Sequence, residues 1–281
     1  MKSITLPSPA KINLSLRILG KREDGFHEIS TLMCKLALAD AVTVKLITGK
    51  NSVLTCSAPE VPTDESNLAL RALRLFEREI GKAVPCAIHL EKKIPSGAGL
   101  GGGSSNAAVT LTALNELAGH PLTLETLLRL AAEIGSDIPF FLLKENAALG
   151  TGRGENVSPV NFPWRLPVVL IKPPFPIPTP WAYQRWATSR EISGAFYAPQ
   201  VCVWGEMVND LERPVFEKYI LLPVLKSKLL EQADVIAALM SGSGSTLFAI
   251  TRTAASCESI AKMAAEWCGS ESFIAVTHTA A

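Results

Sequence analysis

The segment of this sequence with the clearest chemical potential is a glycine-rich stretch, PSGAGLGGGSS, at residues 95–105. Because glycine has no Cβ atom, its backbone can turn tightly and approach an anion closely. The unpaired N–H groups at the start of a following helix also favour negative charge. The stretch therefore predicts a loop that holds phosphate groups with main-chain amides, and Ser104 or Ser105 would cap the helix or bind a phosphate oxygen.

This loop differs from the commoner nucleotide-binding fingerprints. It does not end in Gly-Lys followed by Ser or Thr, as a Walker A loop does. A GxGxxG string begins at Gly97, but no acidic residue follows about twenty positions later at a strand end, as a dinucleotide-binding fold requires. The alternative is a flexible surface connection. Ordering five glycines costs conformational entropy on folding, and a simple connection would not require so many glycines or the two serines after them. The composition therefore favours a loop that binds an anion.

Composition narrows the class of protein. Of 281 residues, 48% are hydrophobic and 19% are charged, which is typical of globular domains with apolar cores. Lys and Arg number 27 against 26 Asp and Glu, so no overall charge favours nucleic acid or a membrane surface. The six scattered cysteines form no CxxC pair, and MKSITLPSPAK lacks the apolar core of a signal peptide. We therefore expect a cytoplasmic protein, a monomer or weak homodimer, that binds neither nucleic acid nor membrane.

Periodicity predicts strands and helices mixed without regular alternation, and hence an α+β fold. In the first half we predict strands at 10–18, 42–46 and around Ile88, a turn at Asp24 and Gly25, and helices at about 66–81, 107–117 and 124–134. In the second half we predict a strand at 168–172, helices within 215–232 and around Met263, and two strands flanking SGSGS. A proline-rich stretch between the halves predicts two domains, 1–158 and 159–281.

PSGAGLGGGSSNAA resembles the phosphate loop of the GHMP kinase superfamily, which includes galactokinase, homoserine kinase and mevalonate kinase. Further blocks in chain order, PAKINLSLRILGKREDGFHEI, GSDIPFF, IPTP, NDLE and SGSGSTLFA, resemble the 4-diphosphocytidyl-2-C-methyl-D-erythritol kinases. The resemblance implies a two-domain GHMP kinase fold. Its N-terminal ATP domain would resemble a ribosomal-protein domain, its C-terminal domain an α/β plait, and the active site would lie in the cleft between them.

The resemblance assigns catalysis to Lys11, in PAKINL, and to Asp137, in GSDIPFF. Asp137 would take or orient the proton of an acceptor hydroxyl, and the Lys11 ammonium would polarise that hydroxyl or the transferred phosphate. By pattern alone, Lys11 is a solvated strand lysine and Asp137 a residue at a helix start. ATP would be the phosphate donor, accompanied by Mg²⁺, for which no protein ligands are legible. ATP contacts are expected from Pro95, Ser96, Gly97, Ala98, Gly99, Leu100, Gly101, Gly102, Gly103, Ser104 and Ser105, with Asn67 and Leu68 bordering the adenine.

The acceptor implied by the resemblance is 4-diphosphocytidyl-2-C-methyl-D-erythritol, phosphorylated on its 2-hydroxyl in the non-mevalonate route to isoprenoid precursors. Asn13, Phe26, His27 and Thr179 would contact it. Phe26 stands where the family has tyrosine, so a hydroxyl contact to the base is absent. By pattern alone, Asn13 is a solvated polar position, His27 a turn residue and Thr179 a helix cap.

Two further glycine-rich segments could be either simple turns or contacts to a ligand. SGSGS at 241–245 would be a hairpin turn by itself, but in the superfamily it approaches the acceptor and phosphates. GTGRGE at 150–155 is interpreted as a turn rather than a phosphate site. The alternatives to the favoured function are another GHMP kinase acting on homoserine, mevalonate or a sugar, and a noncatalytic nucleotide-binding regulator or RNA-binding module on the same scaffold.

Overall fold

The computed structural model describes residues 2–49 and 51–280. Its strands are β1 (Ser3–Lys21), β2 (His27–Leu46), β3 (Val53–Cys56), β4 (Cys86–Glu91), β5 (Ala147–Thr151), β6 (Asn156–Pro159), β7 (Pro167–Lys172), β8 (Gln200–Cys202), β9 (Gly205–Asn209), β10 (Val235–Met240), β11 (Leu247–Thr251) and β12 (Phe273–His278). Its helices are α1 (Leu68–Ile80), α2 (Gly102–Leu117), α3 (Leu124–Ile134), α4 (Ile138–Leu142), α5 (Thr179–Trp186), α6 (Glu212–Lys218), α7 (Leu221–Leu230) and α8 (Ala254–Cys268).

Two sheets form the framework. The larger sheet has the order β3-β4-β2-β1-β9-β8. Strand β5 also pairs with β2, and β6 pairs with β5. Most of its strands are antiparallel, but β3 pairs with β4 and β1 pairs with β9 in parallel. The smaller sheet is antiparallel, in the order β10-β11-β7-β12. Because β8 and β9 follow β7 in the chain, the second half of the sequence contributes two strands to the larger sheet.

Side-chain alternation places the residues of β1 on two different faces. Ala10 and Ile12 face a core that they share with Val168 and Leu170 of β7, so the two sheets pack against each other. Lys11 and Asn13 face the other way, toward the layer formed by α1 to α4. They are buried there, so the predicted shared face is confirmed, while the solvated interpretation of both residues is wrong.

Helix α1 shows how local signals set an element. Leu73 and Phe76 lie on its buried face, and each contributes roughly 1.5–3 kcal/mol of stabilisation by burial. The Asn67 side chain accepts a hydrogen bond from the Ala69 amide at the N-terminus, and Gly81, at φ 69°, ends the helix in the left-handed conformation. The helix therefore lies within the predicted range 66–81, and α3 has the predicted bounds.

Other elements differ from the prediction. Helix α2 begins at Gly102 rather than at 107, and residues 215–232 form parts of two helices, α6 and α7. Strands β3, β8, β9 and β12 were not predicted, and no bounds were predicted for β5 and β6. Strand β8 has only three residues, and β9 has two exposed residues followed by three buried ones, so neither shows a clear alternating pattern. The division of the chain near Pro159 stays a prediction; β6 ends at that residue in the larger sheet and β7 opens the smaller one.

Candidate active site

Lys11 and Asp137, which are far apart in the sequence, meet beneath α4. Lys11 Nζ lies 3.3 Å from Asp137 Oδ2. The lysine side chain is 3% exposed and the aspartate side chain 38% exposed, so the pair is closed on one side and open on the other. Asp137 occupies the N-cap position of α4, but its carboxylate makes no capping hydrogen bond. The carboxylate is therefore available to a ligand.

A chain of hydrogen bonds fixes the position of the Lys11 ammonium. Lys11 Nζ donates to Asn13 Oδ1 at 2.6 Å, Asn13 Nδ2 donates to Thr31 Oγ1 at 2.8 Å, and Thr31 Oγ1 donates to the carbonyl of Ser15 at 2.7 Å. A buried charge without partners would be strongly unfavourable. Since each donor has an acceptor, the chain holds the amide oxygen of Asn13 toward the lysine.

The glycine-rich loop lies directly beside this pair. The Lys11 amide donates to the Leu100 carbonyl at 2.9 Å, which joins β1 to the loop. Gly101, at φ 72°, is the N-cap of α2, and no side chain caps the helix. The interpretation of Ser104 or Ser105 as a cap is therefore wrong, because both serines lie inside the helix. The amides of the first turn are left for a ligand, and an anion there also benefits from the helix dipole.

Gly101 could not be replaced without moving the site. A Cβ atom there would lie 2.9 Å from Phe141 Cζ and 3.0 Å from Lys11 Cγ. Its left-handed conformation adds strain for any other residue. The glycine is thus required because the backbone passes between an aromatic ring and the catalytic lysine candidate.

A buried ion pair supports the start of α2 from below. Lys92 pairs with Asp40 and donates to Asn106 Oδ1 at 3.0 Å, and Asn106 Nδ2 donates to Asp40 Oδ2 at 3.0 Å. A Cβ atom on Gly102 would lie 3.3 Å from Lys92 Nζ. The ammonium therefore sits next to the first residue of the helix, where it adds positive charge to the N-terminal end.

The second glycine loop, 241–245, lies against both the first glycine-rich loop and Lys11. It is the turn between β10 and β11, as predicted, and its Ser241 hydroxyl donates to the Gly99 carbonyl at 2.9 Å. Asn209 Nδ2 donates to the carbonyls of Met240 and Gly242, both at 2.7 Å. A Cβ atom on Gly242 would lie 3.4 Å from Lys11 Nζ. The two glycine loops and the lysine therefore form one connected unit.

Besides Asn13, which bonds Lys11, the residues expected to bind an acceptor are Phe26, His27 and Thr179. Phe26 is exposed, and the His27 ring lies 5.4 Å from the Tyr183 ring, between centroids. Burial, helped by repulsion from Lys21, lowers the pKa of His27, so its neutral form is favoured near pH 7. Thr179 is the first residue of α5 rather than its cap, and its hydroxyl lies 2.8 Å from that of Ser243.

These groups surround one cavity of about 830 Å³. The expected residues that line it are Lys11, Asn13, Phe26, His27, Asn67, Leu68, Pro95, Ser96, Gly97, Ala98, Gly99, Leu100, Gly101, Gly102, Gly103, Ser104, Asp137 and Thr179. Ser105 is fully buried and accepts a hydrogen bond from Ser8, so its hydroxyl faces the core. Lys92, Arg153, Tyr183 and Gln184 also line the cavity but were not predicted. Their positions depend on long-range packing, although the arginine within GTGRGE was a usable signal.

The cavity brings together the residues expected to bind a phosphate donor and those expected to bind an acceptor. The amides at the start of α2 suit the phosphates of the donor. The open carboxylate of Asp137 can accept a proton, and the fixed ammonium of Lys11 can stabilise negative charge that develops beside it. This combination is suited to group transfer onto a hydroxyl.

Comparisons with known proteins agree with this geometry. Family models match the chain twice: the GHMP kinases N terminal domain at residues 67–145 and the GHMP kinases C terminal model at residues 204–269. The chain belongs to the GHMP kinase family. Its fold in two domains with mixed helix and strand is that of this family. Among the helices of residues 2–49 and 51–280, none combines the length and apolar character needed to cross a membrane.

Within the GHMP kinase family, the chain is similar to several enzymes named 4-diphosphocytidyl-2-C-methyl-D-erythritol kinase. A 4-diphosphocytidyl-2-C-methyl-D-erythritol kinase of Methylacidiphilum infernorum (isolate V4) is 44% identical over 86% of this chain and 84% of its own length. The enzyme of that name from Protochlamydia amoebophila (strain UWE25) is 45% identical over 89% and 85%. A crystal structure of 4-(cytidine 5'-diphospho)-2C-methyl-D-erythritol kinase superposes with a TM-score of 0.80, at 32% identity, over 99% of this chain and 100% of that chain.

Proposed function

We propose that this protein transfers the γ-phosphoryl group of ATP to the 2-hydroxyl of 4-diphosphocytidyl-2-C-methyl-D-erythritol, a step in the non-mevalonate route to isoprenoid precursors. The similarity to kinases of that name over most of the chain supports the acceptor. The observation that carries the chemistry is the Lys11–Asp137 pair at 3.3 Å, open to the cavity beside the glycine-rich loop.

The roles of the residues follow from their positions. The Asp137 carboxylate accepts the proton of the 2-hydroxyl as its oxygen attacks the γ-phosphorus. The bond from that phosphorus to the β–γ bridging oxygen breaks, and ADP leaves with the electron pair. The Lys11 ammonium stabilises the negative charge of the transferred group, and Asn13 holds it in place through the 2.6 Å hydrogen bond. The amides of Gly102 and Gly103 bind the donor phosphates.

Magnesium is part of this proposal. Among the described residues, no cluster of three His, Cys, Asp or Glu side chains could cage a metal. Mg²⁺ commonly binds through one or two protein oxygens, substrate phosphates and water. Ser104 and Asp137 line the cavity with such oxygens, so the site fits an ion of this kind. When bound with ATP, magnesium would neutralise charge on the β- and γ-phosphates. A cytoplasmic location and a monomeric or weakly dimeric state stay predictions.

The test is a coupled assay of ADP release with ATP, Mg²⁺ and several acceptors. We expect turnover with 4-diphosphocytidyl-2-C-methyl-D-erythritol and little with homoserine, mevalonate or galactose. Turnover with mevalonate but not with the cytidylyl compound would reject the proposed acceptor. Tight ATP binding without turnover on any acceptor would instead favour a noncatalytic regulator.

A further inference from the structure

Arg153 lies in the turn between β5 and β6 and lines the cavity. Two hydrogen bonds tie this turn to the start of β2: the Gly152 amide donates to Glu28 Oε1 at 3.1 Å, and the Ile29 amide donates to the Gly152 carbonyl at 2.8 Å. Strand β2 begins at His27, immediately after Phe26. The turn is therefore fixed to the segment expected to bind the acceptor.

The guanidinium of Arg153 lies over the Phe26 ring. Its Cζ atom lies 4.8 Å from the centroid of the Phe26 ring. Its Nε donates to Glu155 Oε1 at 3.3 Å, whereas the two terminal nitrogens have no hydrogen-bond partner among the described residues. Stacking on an aromatic ring restrains a guanidinium without using its N–H donors. The terminal N–H groups are thus free to bind an anion in the cavity.

The other cations of the cavity already have partners. Of the described residues that line it, the lysines and arginines are Lys11, Lys92 and Arg153. Lys11 is bound to Asn13 and Asp137, and Lys92 to Asp40 and Asn106 at the start of α2. Arg153 pairs with Glu155 through Nε only, so it brings two terminal nitrogens without partners among the described residues to the acceptor side. A diphosphate entering there would otherwise meet the carboxylates of Asp24 and Asp137.

We propose that Arg153 binds the diphosphate of the acceptor and makes the site selective for a nucleoside diphosphate ester over an uncharged alcohol. The inference rests on the proposed function for the identity of the acceptor. It also gives Phe26 a role that needs no hydroxyl, because the ring serves as the platform for the guanidinium. A guanidinium suits this ligand, since its planar donors bind two phosphate oxygens at once.

The experiment compares the binding of CDP and cytidine, which differ by the diphosphate, using isothermal titration calorimetry. The proteins are the unmodified chain, Arg153→Met, Arg153→Lys and the control Arg165→Met. Arg165 is an arginine that bonds His278 and does not line the cavity, so its replacement removes the same charge elsewhere. Charged hydrogen bonds of this kind are worth roughly a ten- to hundredfold change in affinity.

We expect Arg153→Met to weaken CDP binding at least about tenfold, to leave cytidine binding unchanged, and to raise the KM for the acceptor more than it lowers kcat. Arg153→Lys should recover part of the loss, and Arg165→Met should bind CDP normally. Unchanged CDP binding, or equal losses for CDP and cytidine, would overturn the assignment and leave the proposed function standing. If the unmodified protein bound neither compound, the proposed acceptor and this assignment would both be rejected.

Discussion

The Lys226–Glu212 and Lys11–Asp137 pairs each contain a buried lysine, and they differ in how fully the carboxylate is buried and bonded. Lys226 Nζ lies 2.6 Å from Glu212 Oε2, and both side chains are almost completely buried. The lysine also donates to the Phe196 carbonyl at 2.9 Å, and Glu212 Oε1 accepts from the Met240 amide at 2.9 Å. This pair is sealed from ligands.

The Lys11–Asp137 pair has a buried cation but an open anion. Its two atoms are 3.3 Å apart, and no other side chain or capping amide bonds the carboxylate. A structural pair stabilises most when its hydrogen-bonding capacity is satisfied within the protein. A catalytic pair must leave part of that capacity to the substrate. The comparison thus separates the two functions by geometry, since both pairs contain the same kinds of charge.

The largest expected effect is on turnover, from breaking the open pair. Asp137→Asn and Lys11→Met keep side-chain size but remove the proton acceptor or the charge, so kcat should fall by roughly 10²- to 10⁴-fold. Steady-state assays would measure this, and calorimetry should show that ATP still binds. Near-normal kcat in either variant, with a normal melting temperature, would contradict the role assigned to that residue.

Breaking the sealed pair should act on stability instead. Glu212→Gln leaves the Lys226 ammonium buried without a countercharge, which typically lowers the free energy of unfolding by about 3–5 kcal/mol. Urea denaturation would measure the loss, and kcat per folded molecule should remain close to that of the unmodified protein. The double variant Glu212→Gln with Lys226→Met removes the stranded charge and should recover part of the stability. A loss of kcat without destabilisation would reverse the comparison.

A smaller effect is expected from displacing Lys11 indirectly. Gly101→Ala places a methyl group 3.0 Å from Lys11 Cγ and 2.9 Å from Phe141 Cζ. Overpacking of this kind costs about 1–3 kcal/mol. If the site shifts to relieve it, transition-state stabilisation should fall by a similar amount, so we expect kcat/KM for ATP to drop about tenfold or more. Gly119→Ala is the matched control at the other end of α2, because its φ is also positive, at 85°, and nothing lies within 4 Å of the added atom. Equal losses in both variants would show that backbone strain, rather than contact with Lys11, explains the effect.

The last effect, a pH dependence of stability with no expected change in turnover, concerns Lys35, a buried lysine without a carboxylate partner at hydrogen-bond distance. Its Nζ donates to the Leu143 carbonyl at 2.6 Å, and burial lowers its pKa from 10.5 to about 8. Between these values the unfolded chain binds more protons than the folded protein, so the free energy of unfolding should rise with pH from about 8 to about 10.5.

Lys35→Met should flatten this rise, as measured by urea denaturation across that pH range. Lys45→Met is the control, because Lys45 is an exposed lysine on the same strand, β2. A rise of the same size in the unmodified protein and in Lys35→Met would show that other groups cause it.

Much of the fold could be predicted where a local pattern is complete. The apolar stripe of α1, with Ser66 near its start and Gly81 after it, gave bounds close to those observed. Helix α2 was different, since its first turn consists of glycines and serines, which have low helix propensity. It becomes helical there because the loop is held by Lys11 and Ser241, and neither contact is visible in a local window.

The candidate site shows the same division. Motif resemblance indicated Lys11, Asp137 and the glycine-rich loop, and the structure brings them together around the cavity. Arg153 and Tyr183 were missed as lining residues. Arg153 lies in a segment that was interpreted as a turn, and the structure has a turn there. Predicting a turn does not predict which way the arginine side chain points.

The sequence by itself determined the glycine-rich loop, the alternation of β1 that places Lys11 and Asn13 on one face, and the family to which the chain belongs. Only the tertiary structure decided that this polar face is buried, that the Asp137 carboxylate beside it is left uncapped and exposed, and that the Glu212 carboxylate is sealed with Lys226. The physical reason is that backbone periodicity is a local property. Burial and the pairing of charges depend on which distant segments pack together, and the free energy of an ion pair depends on those surroundings more than on its own residues.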